Sequence, residues 1–144
     1  MDYANDVGDA ELHKKAINVF DMAFKMGWDE EFGGILYFMD CLGNPPEAYE
    51  HDMKLWWPHN EIMIASMMAY RDTGDEYYLN WFKRCMDYVK KYFSDPAYGE
   101  WYGYLRRDGN PTLPACKGST FKGPFHVPRC LIMVEQMMNE ILGE

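Results

Sequence analysis

Residues 62–69 have the sequence IMIASMMA, in which Ser66 is the one polar side chain. A helix that is apolar on nearly every side has to be covered on nearly every side, so this stretch predicts an inner helix over about 58–72. The segment that follows, about 76–93, has its aromatic and apolar residues on one helical face and its charged residues on the other. That pattern is typical of an outer helix with one solvent-exposed face.

Two more helices are predicted from their ends. Asp9 is placed to cap an outer helix over about 10–26, which stops at Gly27. A last, mostly apolar helix over about 128–142 opens with Pro128 at its first position. The predicted order along the chain is therefore outer, inner, outer and inner helix.

The two connectors between outer and inner helices have similar sequences. Their matching residues are separated by one constant spacing, so that position 29 corresponds to position 95. Short aromatic runs with glycines predict β-hairpin-like connectors, and a repeated helix pair predicts a solenoid or closed toroid. A chance match between two glycine-rich loops is the alternative. The matching positions are Asp29, Phe32, Gly33, Phe38, Met39 and Gly43 in the first connector, and Asp95, Tyr98, Gly99, Tyr104, Leu105 and Gly109 in the second.

The predicted fold class is thus all-α, a sector of a toroid with about four main helices. The 144 residues hold two helix pairs, and a sector of a toroid leaves two apolar edges uncovered. We therefore expect either a homo-oligomer or a missing N-terminal part that completes the ring.

Composition excludes several functions. Lys and Arg number 14 and Asp and Glu 23, so the net charge of −9 disfavours nucleic acid as a partner. No apolar run reaches the roughly 20 residues of a membrane span, and the acidic N-terminus lacks the apolar core of a signal peptide. The four cysteines, which form no Cys-x-x-Cys pair, predict reduced thiols in a cytoplasmic protein rather than a metal site.

Two segments combine residue types that could carry chemistry: KLWWPHNE at 54–61 and KGSTFKGPFHVPR at 117–129. Each places a histidine, His59 or His126, beside a proline at a predicted helix N-terminus. The positive end of a helix favours a neutral imidazole, which is the form that a general base needs. In the alternative interpretation the prolines only start helices and the histidines bond loop carbonyls. Two histidines at equivalent positions favour a shared site.

Other residues of these segments have two interpretations each. Arg129 lies one turn after His126 and could hold substrate oxygens, or pair with a surface carboxylate. Glu61 is a candidate catalytic carboxylate, or a residue that favours a helix start. Trp57 and Phe121 offer flat apolar faces for a sugar ring, or belong to the core.

With these motifs, the sequence resembles the C-terminal part of the N-acylglucosamine 2-epimerase (renin-binding protein) family. KLWWPHNE at 54–61 and FKGPFHVPR at 121–129 resemble that family's motifs, as does YGEWYGYL at 98–105. The resemblance extends over almost the whole chain from about residue 10. Related cellobiose epimerases usually carry Gln where His59 stands, so the N-acetylhexosamine branch is the nearer match.

The resemblance implies that residues 1–144 are a single incomplete segment of an (α/α)6 barrel. It also implies an amino-sugar substrate, interconversion of N-acetylglucosamine and N-acetylmannosamine, and no metal or other cofactor. In that family two histidines remove and return the C2 proton on opposite faces of the carbon. By motif match His126 is one of the pair, and the pocket is lined by Arg129, His59, Glu61, Trp57 and Phe121.

The sequence departs from the family's pattern at one point that bears on its activity. The family's other catalytic histidine stands in a Gly-His-x-x-Glu motif that does not occur in these 144 residues. One acid–base group cannot serve both faces of C2, so we expect the isolated chain to be inactive or nearly so. The alternatives are a non-catalytic association module and an α/α-barrel glycoside hydrolase with Glu61 as its acid, for which no second carboxylate stands out.

Overall fold

A computed structural model describes residues 1–143, in which two pairs of long helices are joined by irregular connectors. The predicted helices are confirmed, and Asp9 caps α2 by accepting a hydrogen bond from the Leu12 N–H. A five-residue helix near the N-terminus was not predicted. The elements are α1 (Asp2–Asp6), α2 (Ala10–Gly27), β1 (Lys54–Leu55), α3 (Trp56–Thr73), α4 (Glu76–Tyr88, continued by a π-helix, Val89–Phe93), β2 (Tyr104–Leu105) and α5 (His126–Leu142).

The predicted starts of the two inner helices are wrong by two positions. The helix α3 begins at Trp56 and α5 begins at His126, so Pro58 and Pro128 each occupy the third helical position. The first N–H groups of a helix have no intrahelical acceptor, and proline is therefore tolerated in the first turn. As a result, His126 is the first residue of its helix.

The helix α3 is the inner helix that its sequence predicts. No residue from Trp56 to Asp72 is exposed, because α4 and α5 both pack against α3. The outer helices α2 and α4 meet through aromatic rings, with 4.2 Å between the ring centroids of Phe24 and Trp81.

The backbone confirms the repeat between the connectors. An isolated bridge joins Trp28 to Ile35, and another joins Ser94 to Trp101, which are the positions that the sequence offset relates to each other. In each connector, the residue that follows the first bridge residue is an aspartate. Its side chain accepts hydrogen bonds from the N–H groups two and three residues further along the chain. The same local turn therefore opens both connectors.

The prediction of hairpin-like connectors needs one correction. Within each connector the strand contacts are single bridges, and the two-residue strands β1 and β2 pair across the connectors instead. They are antiparallel, with Lys54 opposite Leu105 and Leu55 opposite Tyr104. Because β1 runs directly into α3, this pairing fixes the start of α3 beside the second connector.

A buried ion cluster also joins the connectors. The Asp29 carboxylate accepts hydrogen bonds from Lys54 Nζ at 2.8 Å and from Arg107 Nε at 2.9 Å, and the side chains of Asp29 and Lys54 are buried. Burial by itself would raise the pKa of Asp29, but the bonds from Arg107 and Lys54 hold it well below its usual range. The carboxylate thus stays charged where it balances a buried lysine.

Both predicted apolar edges are present. The outer helix α2 exposes Leu12, Val19, Met22 and Met26, and the inner helix α5 exposes Leu131, Ile132, Met138, Ile141 and Leu142. Among the described residues, no helix has both the length and the hydrophobicity that crossing a bilayer requires. The four cysteines are unpaired.

A substitution at Gly34 can test how tightly the first connector packs on the outer helix α4. Its φ is +73°, and an added Cβ would lie 2.6 Å from ring atoms of Tyr88. The equivalent residue in the second connector, Glu100, has a φ of 63°, so a side chain is compatible with this backbone where no ring is close. We predict that Gly34→Ala lowers the free energy of unfolding in urea by about 2–4 kcal/mol, from backbone strain and overpacking together.

Gly43 supplies the matched control. Its φ is +79° and nothing lies within 4 Å of an added Cβ, so Gly43→Ala should cost only the backbone strain of about 1 kcal/mol. Equal losses for the two substitutions would contradict the packing described here.

Candidate active site

A cavity of about 550 Å³ lies where the inner helices α3 and α5 begin. Its wall is mostly aromatic, and it includes three of the predicted site residues: Trp57, Phe121 and His126. The complete lining consists of Tyr37, Glu50, Leu55, Trp56, Trp57, Tyr104, Phe121 and His126.

His126 is surrounded by rings but keeps part of its surface open. The centroid of its imidazole lies 6.0 Å from that of Trp57 and 5.0 Å from that of Phe125. Its side chain is 28 % exposed. A partly exposed imidazole in an aromatic wall can reach a ligand while the rings hold its orientation.

A carboxylate fixes the tautomer of His126. The distance from His126 Nδ1 to Glu61 Oε1 is 3.0 Å, and the same oxygen accepts a hydrogen bond from Arg129 Nη2. An ionised carboxylate can only accept, so Nδ1 carries the hydrogen, and in the neutral form of the ring Nε2 keeps its lone pair. The second ring nitrogen of His126 is therefore available as a proton acceptor.

Glu61 contacts His126, and Arg129 contacts Glu61, but neither reaches the cavity itself. Neither is among the residues that line the cavity, and the Arg129 guanidinium lies 5.2 Å from the centroid of the Phe125 ring. The structure thus brings Glu61 to the candidate base and Arg129 to Glu61. Whether they also touch a substrate stays a prediction.

His59 differs from His126 in its burial and in the hydrogen bonds of its ring nitrogens. Its side chain is fully buried, and its two nitrogens are both in use: Nδ1–H donates to the Leu55 carbonyl at 2.7 Å and Nε2 accepts from the Ile35 N–H at 3.0 Å. The ring also stacks on Tyr88. His59 does not line the cavity, and its contacts match the alternative, a histidine that ties a helix start to loop backbone, while a role in binding stays a prediction.

Three residues of the cavity were missed by the sequence reasoning. Tyr104 lies opposite Leu55 in the strand pair, and this long-range pairing has no local signal. Tyr37 packs edge-on against Trp57. Glu50 belongs to an acidic loop with no helical or strand periodicity, so nothing in its neighbourhood distinguishes it.

The other histidines lie away from this cavity. His13 Nε2 is 2.8 Å from Asp72 Oδ2, and His51 Nδ1 bonds the Ala48 carbonyl. His51 does line a larger cavity of about 910 Å³ between the connectors, but that cavity contains none of the predicted site residues. Residues 1–143 contain no cluster of three His, Cys, Asp or Glu side chains arranged to hold a metal.

Inner and outer helices in this order, with a ring-lined cavity at the inner helix starts, define part of an α/α barrel. The sequence model described as N-acylglucosamine 2-epimerase (GlcNAc 2-epimerase) matches residues 1–127. The chain belongs to this family. The family takes its name from an epimerase, which is an isomerase.

Similar proteins agree on family and fold. An N-acylglucosamine 2-epimerase from Bos taurus is 50 % identical over 142 residues, 98 % of this chain and 33 % of the relative. The structure of a cellobiose 2-epimerase from Bacillus thermoamylovorans B4167 matches with a TM-score of 0.71 and 28 % identity, over 90 % of this chain and 32 % of that one. A family 76 glycoside hydrolase from a bovine Bacteroides thetaiotaomicron strain shares the fold, with a TM-score of 0.70 and 20 % identity, over 96 % of this chain and 28 % of that one. The chain spans about a third of the length of the bovine relative.

The buried imidazole of His59 makes stability depend on pH. Burial lowers the pKa of His59 to about 4, against an ordinary value of 6.5. Above pH 6.5 the ring is neutral in both states, whereas between 6.5 and about 4 only the unfolded chain takes up the proton. Stability should therefore fall as pH falls through this window, by up to about 1.4 kcal/mol per pH unit.

We predict that His59→Gln removes this component, because a glutamine amide offers a donor and an acceptor and does not titrate there. Urea unfolding of both chains between pH 4 and 8 measures it. The two chains should have the same pH dependence above pH 7 and diverge below 6.5. Parallel curves throughout would show that His59 is not the group responsible.

Proposed function

We propose that this chain is part of a sugar 2-epimerase that interconverts N-acetylglucosamine and N-acetylmannosamine, and that His126 exchanges the proton at C2. The observation that carries the proposal is the contact of His126 Nδ1 with Glu61, which leaves Nε2 as a base in an aromatic cavity. The family resemblance supplies the reaction.

The chemistry follows from the position of C2. In the ring-opened sugar, C2 lies next to the C1 aldehyde, so loss of the C2 proton sends the bonding electrons onto the carbonyl oxygen as an enolate. His126 Nε2 takes that proton, and the imidazolium that forms is stabilised by Glu61 through Nδ1–H. Return of a proton to the opposite face of C2 completes the epimerisation. These steps are redox-neutral, and the proposal includes no cofactor.

The cavity supports a sugar as the ligand. A volume of about 550 Å³ is in the range of small-molecule sites. Trp57 and Phe121 present flat faces against which the C–H groups of a sugar can pack. Within the family, the His-Val-Pro-Arg sequence at 126–129 favours an amino sugar over a disaccharide. The unpaired cysteines support a reducing compartment such as the cytoplasm.

A second candidate function is a non-catalytic association module derived from the same barrel. The exposed apolar faces of α2 and α5 favour it, since large uncovered apolar surfaces mark interaction sites. It predicts that amino sugars leave the thermal stability of the chain unchanged.

A chimaera tests the catalytic proposal, because the other acid–base group is expected from a region outside these 144 residues. In the chimaera, this chain replaces the matching third of the bovine relative, and deuterium wash-in at C2 of N-acetylmannosamine is followed by NMR. We predict wash-in with the chimaera, a loss of about 100- to 10,000-fold with His126→Ala, and a smaller loss in kcat with Glu61→Gln.

His51→Ala is the matched histidine control and should retain the rate of the chimaera. The isolated chain should show no wash-in above buffer. A folded chimaera without exchange, or with exchange that His126→Ala leaves unchanged, would remove His126 from the reaction.

A further inference from the structure

A single lysine is buried in the segment that leads into α5. Of residues 113–129, all of which the structure describes, Lys122 alone is buried, and its side chain is 3 % exposed. Its neighbour Phe121 lines the candidate cavity. A charged side chain costs far more free energy to bury than an aromatic ring, so burial of Lys122 requires partners that hold it.

The Lys122 ammonium has two such partners. Its Nζ donates hydrogen bonds to Glu100 Oε2 at 2.5 Å and to the Lys117 carbonyl at 2.7 Å. The bond to Glu100 crosses to the second connector, whereas the bond to Lys117 closes the segment on itself. A second ion pair, between Lys117 Nζ and Asp95 Oδ2, ties the beginning of the segment to the same connector. Residues 117–122 are therefore held at both ends.

The backbone of Glu100 is strained. Its φ is 63°, in the left-handed region that favours glycine, and the equivalent position of the first connector is Gly34, with a φ of 73°. Such strain persists where the surrounding contacts fix the residue, and it is common at functional sites. The bond to Lys122 is a contact that glycine at position 100 could not make.

Gly103 joins this ion pair to the start of α3. Its N–H donates to the Cys116 carbonyl at 2.9 Å, and its carbonyl accepts a hydrogen bond from the Trp56 N–H at 3.1 Å. An added Cβ on Gly103 would lie 2.9 Å from Lys122 Cδ, so the lysine stem packs directly on this backbone. Trp56 and Phe121 both line the cavity, and they are thus connected through one hydrogen-bonded unit.

We propose that Lys122 is a positioning residue of the candidate active site. Its ion pair with Glu100 holds residues 117–125 so that Phe121 stands in the cavity wall, where a sugar ring packs against it. Lys122 acts through Phe121 and does not touch the sugar. The inference rests on the proposed function for the identity of the ligand. Because Glu61 holds His126 independently, loss of the ion pair should weaken sugar binding more than it slows proton transfer.

Lys122→Met tests the proposal in the chimaera. Methionine keeps an unbranched stem without the ammonium, and Glu100 is 46 % exposed, so water can solvate the carboxylate that is left. The KM for N-acetylmannosamine should rise about tenfold while kcat stays within about threefold, since the change removes binding rather than chemistry. A role in folding alone would lower the amount of active enzyme, and hence kcat, at an unchanged KM. That result would overturn the proposal.

Glu100→Gly/Lys122→Met is the second variant. Glycine removes the backbone strain at position 100, so this variant should fold at least as well as Lys122→Met and show the same rise in KM. Lys83→Met is the matched control, because it makes the same side-chain change at an exposed position of α4, and it should leave KM and kcat unchanged. An unchanged KM in the double variant would also overturn the proposal.

Amide hydrogen exchange of the 144-residue chain, followed by NMR, measures the ion pair without a sugar. In Lys122→Met the Gly103 N–H should exchange at least about tenfold faster, while the N–H groups of α4 keep their wild-type rates. Unchanged exchange at Gly103 would contradict the proposal. A wild-type chimaera without wash-in at C2 would instead remove the proposed function, and the amide rates would then decide alone whether Lys122 holds the segment.

Discussion

The buried carboxylate of Asp29 is the interaction on which the arrangement of the two helix pairs depends. Its hydrogen-bond donors include Lys54, 25 residues ahead at the entrance to α3, and Arg107, 78 residues ahead and just after β2. A charged lysine can remain buried only with such a partner. One side chain therefore holds the first connector, the start of α3 and the second connector together.

The candidate site is a consequence of that arrangement. Glu61 and His126 are 65 residues apart in sequence, on different inner helices, and meet only because α3 and α5 lie side by side. Their contact selects the tautomer of His126, and the aromatic residues before each helix start form the cavity wall. The base and its surroundings are thus products of helix packing rather than of either motif alone.

The elements and the repeat could be predicted because their signals are local: the nearly continuous apolar run of α3, the Asp9 cap and glycines at equal spacing. The two histidines could not be told apart in this way, since each stands beside a proline after aromatic residues. The two histidines differ in their tertiary contacts. His59, the fourth residue of α3, faces the backbone at Ile35, whereas His126, the first residue of α5, meets a carboxylate and a cavity. Glu50 was not predicted because only the folded conformation of its loop brings it to the cavity.

Urea unfolding of Asp29→Asn, compared with Asp95→Asn, is the most direct test of the central claim. Asp95 forms the same turn in the second connector, but its partner Lys117 is partly exposed, whereas Lys54 is fully buried. The substitution at 29 should lower the free energy of unfolding by about 3 kcal/mol or more, because it leaves a buried lysine without its counter-charge, and the substitution at 95 should cost less. Equal losses, or a negligible loss at 29, would contradict the claim that this carboxylate holds the connectors together.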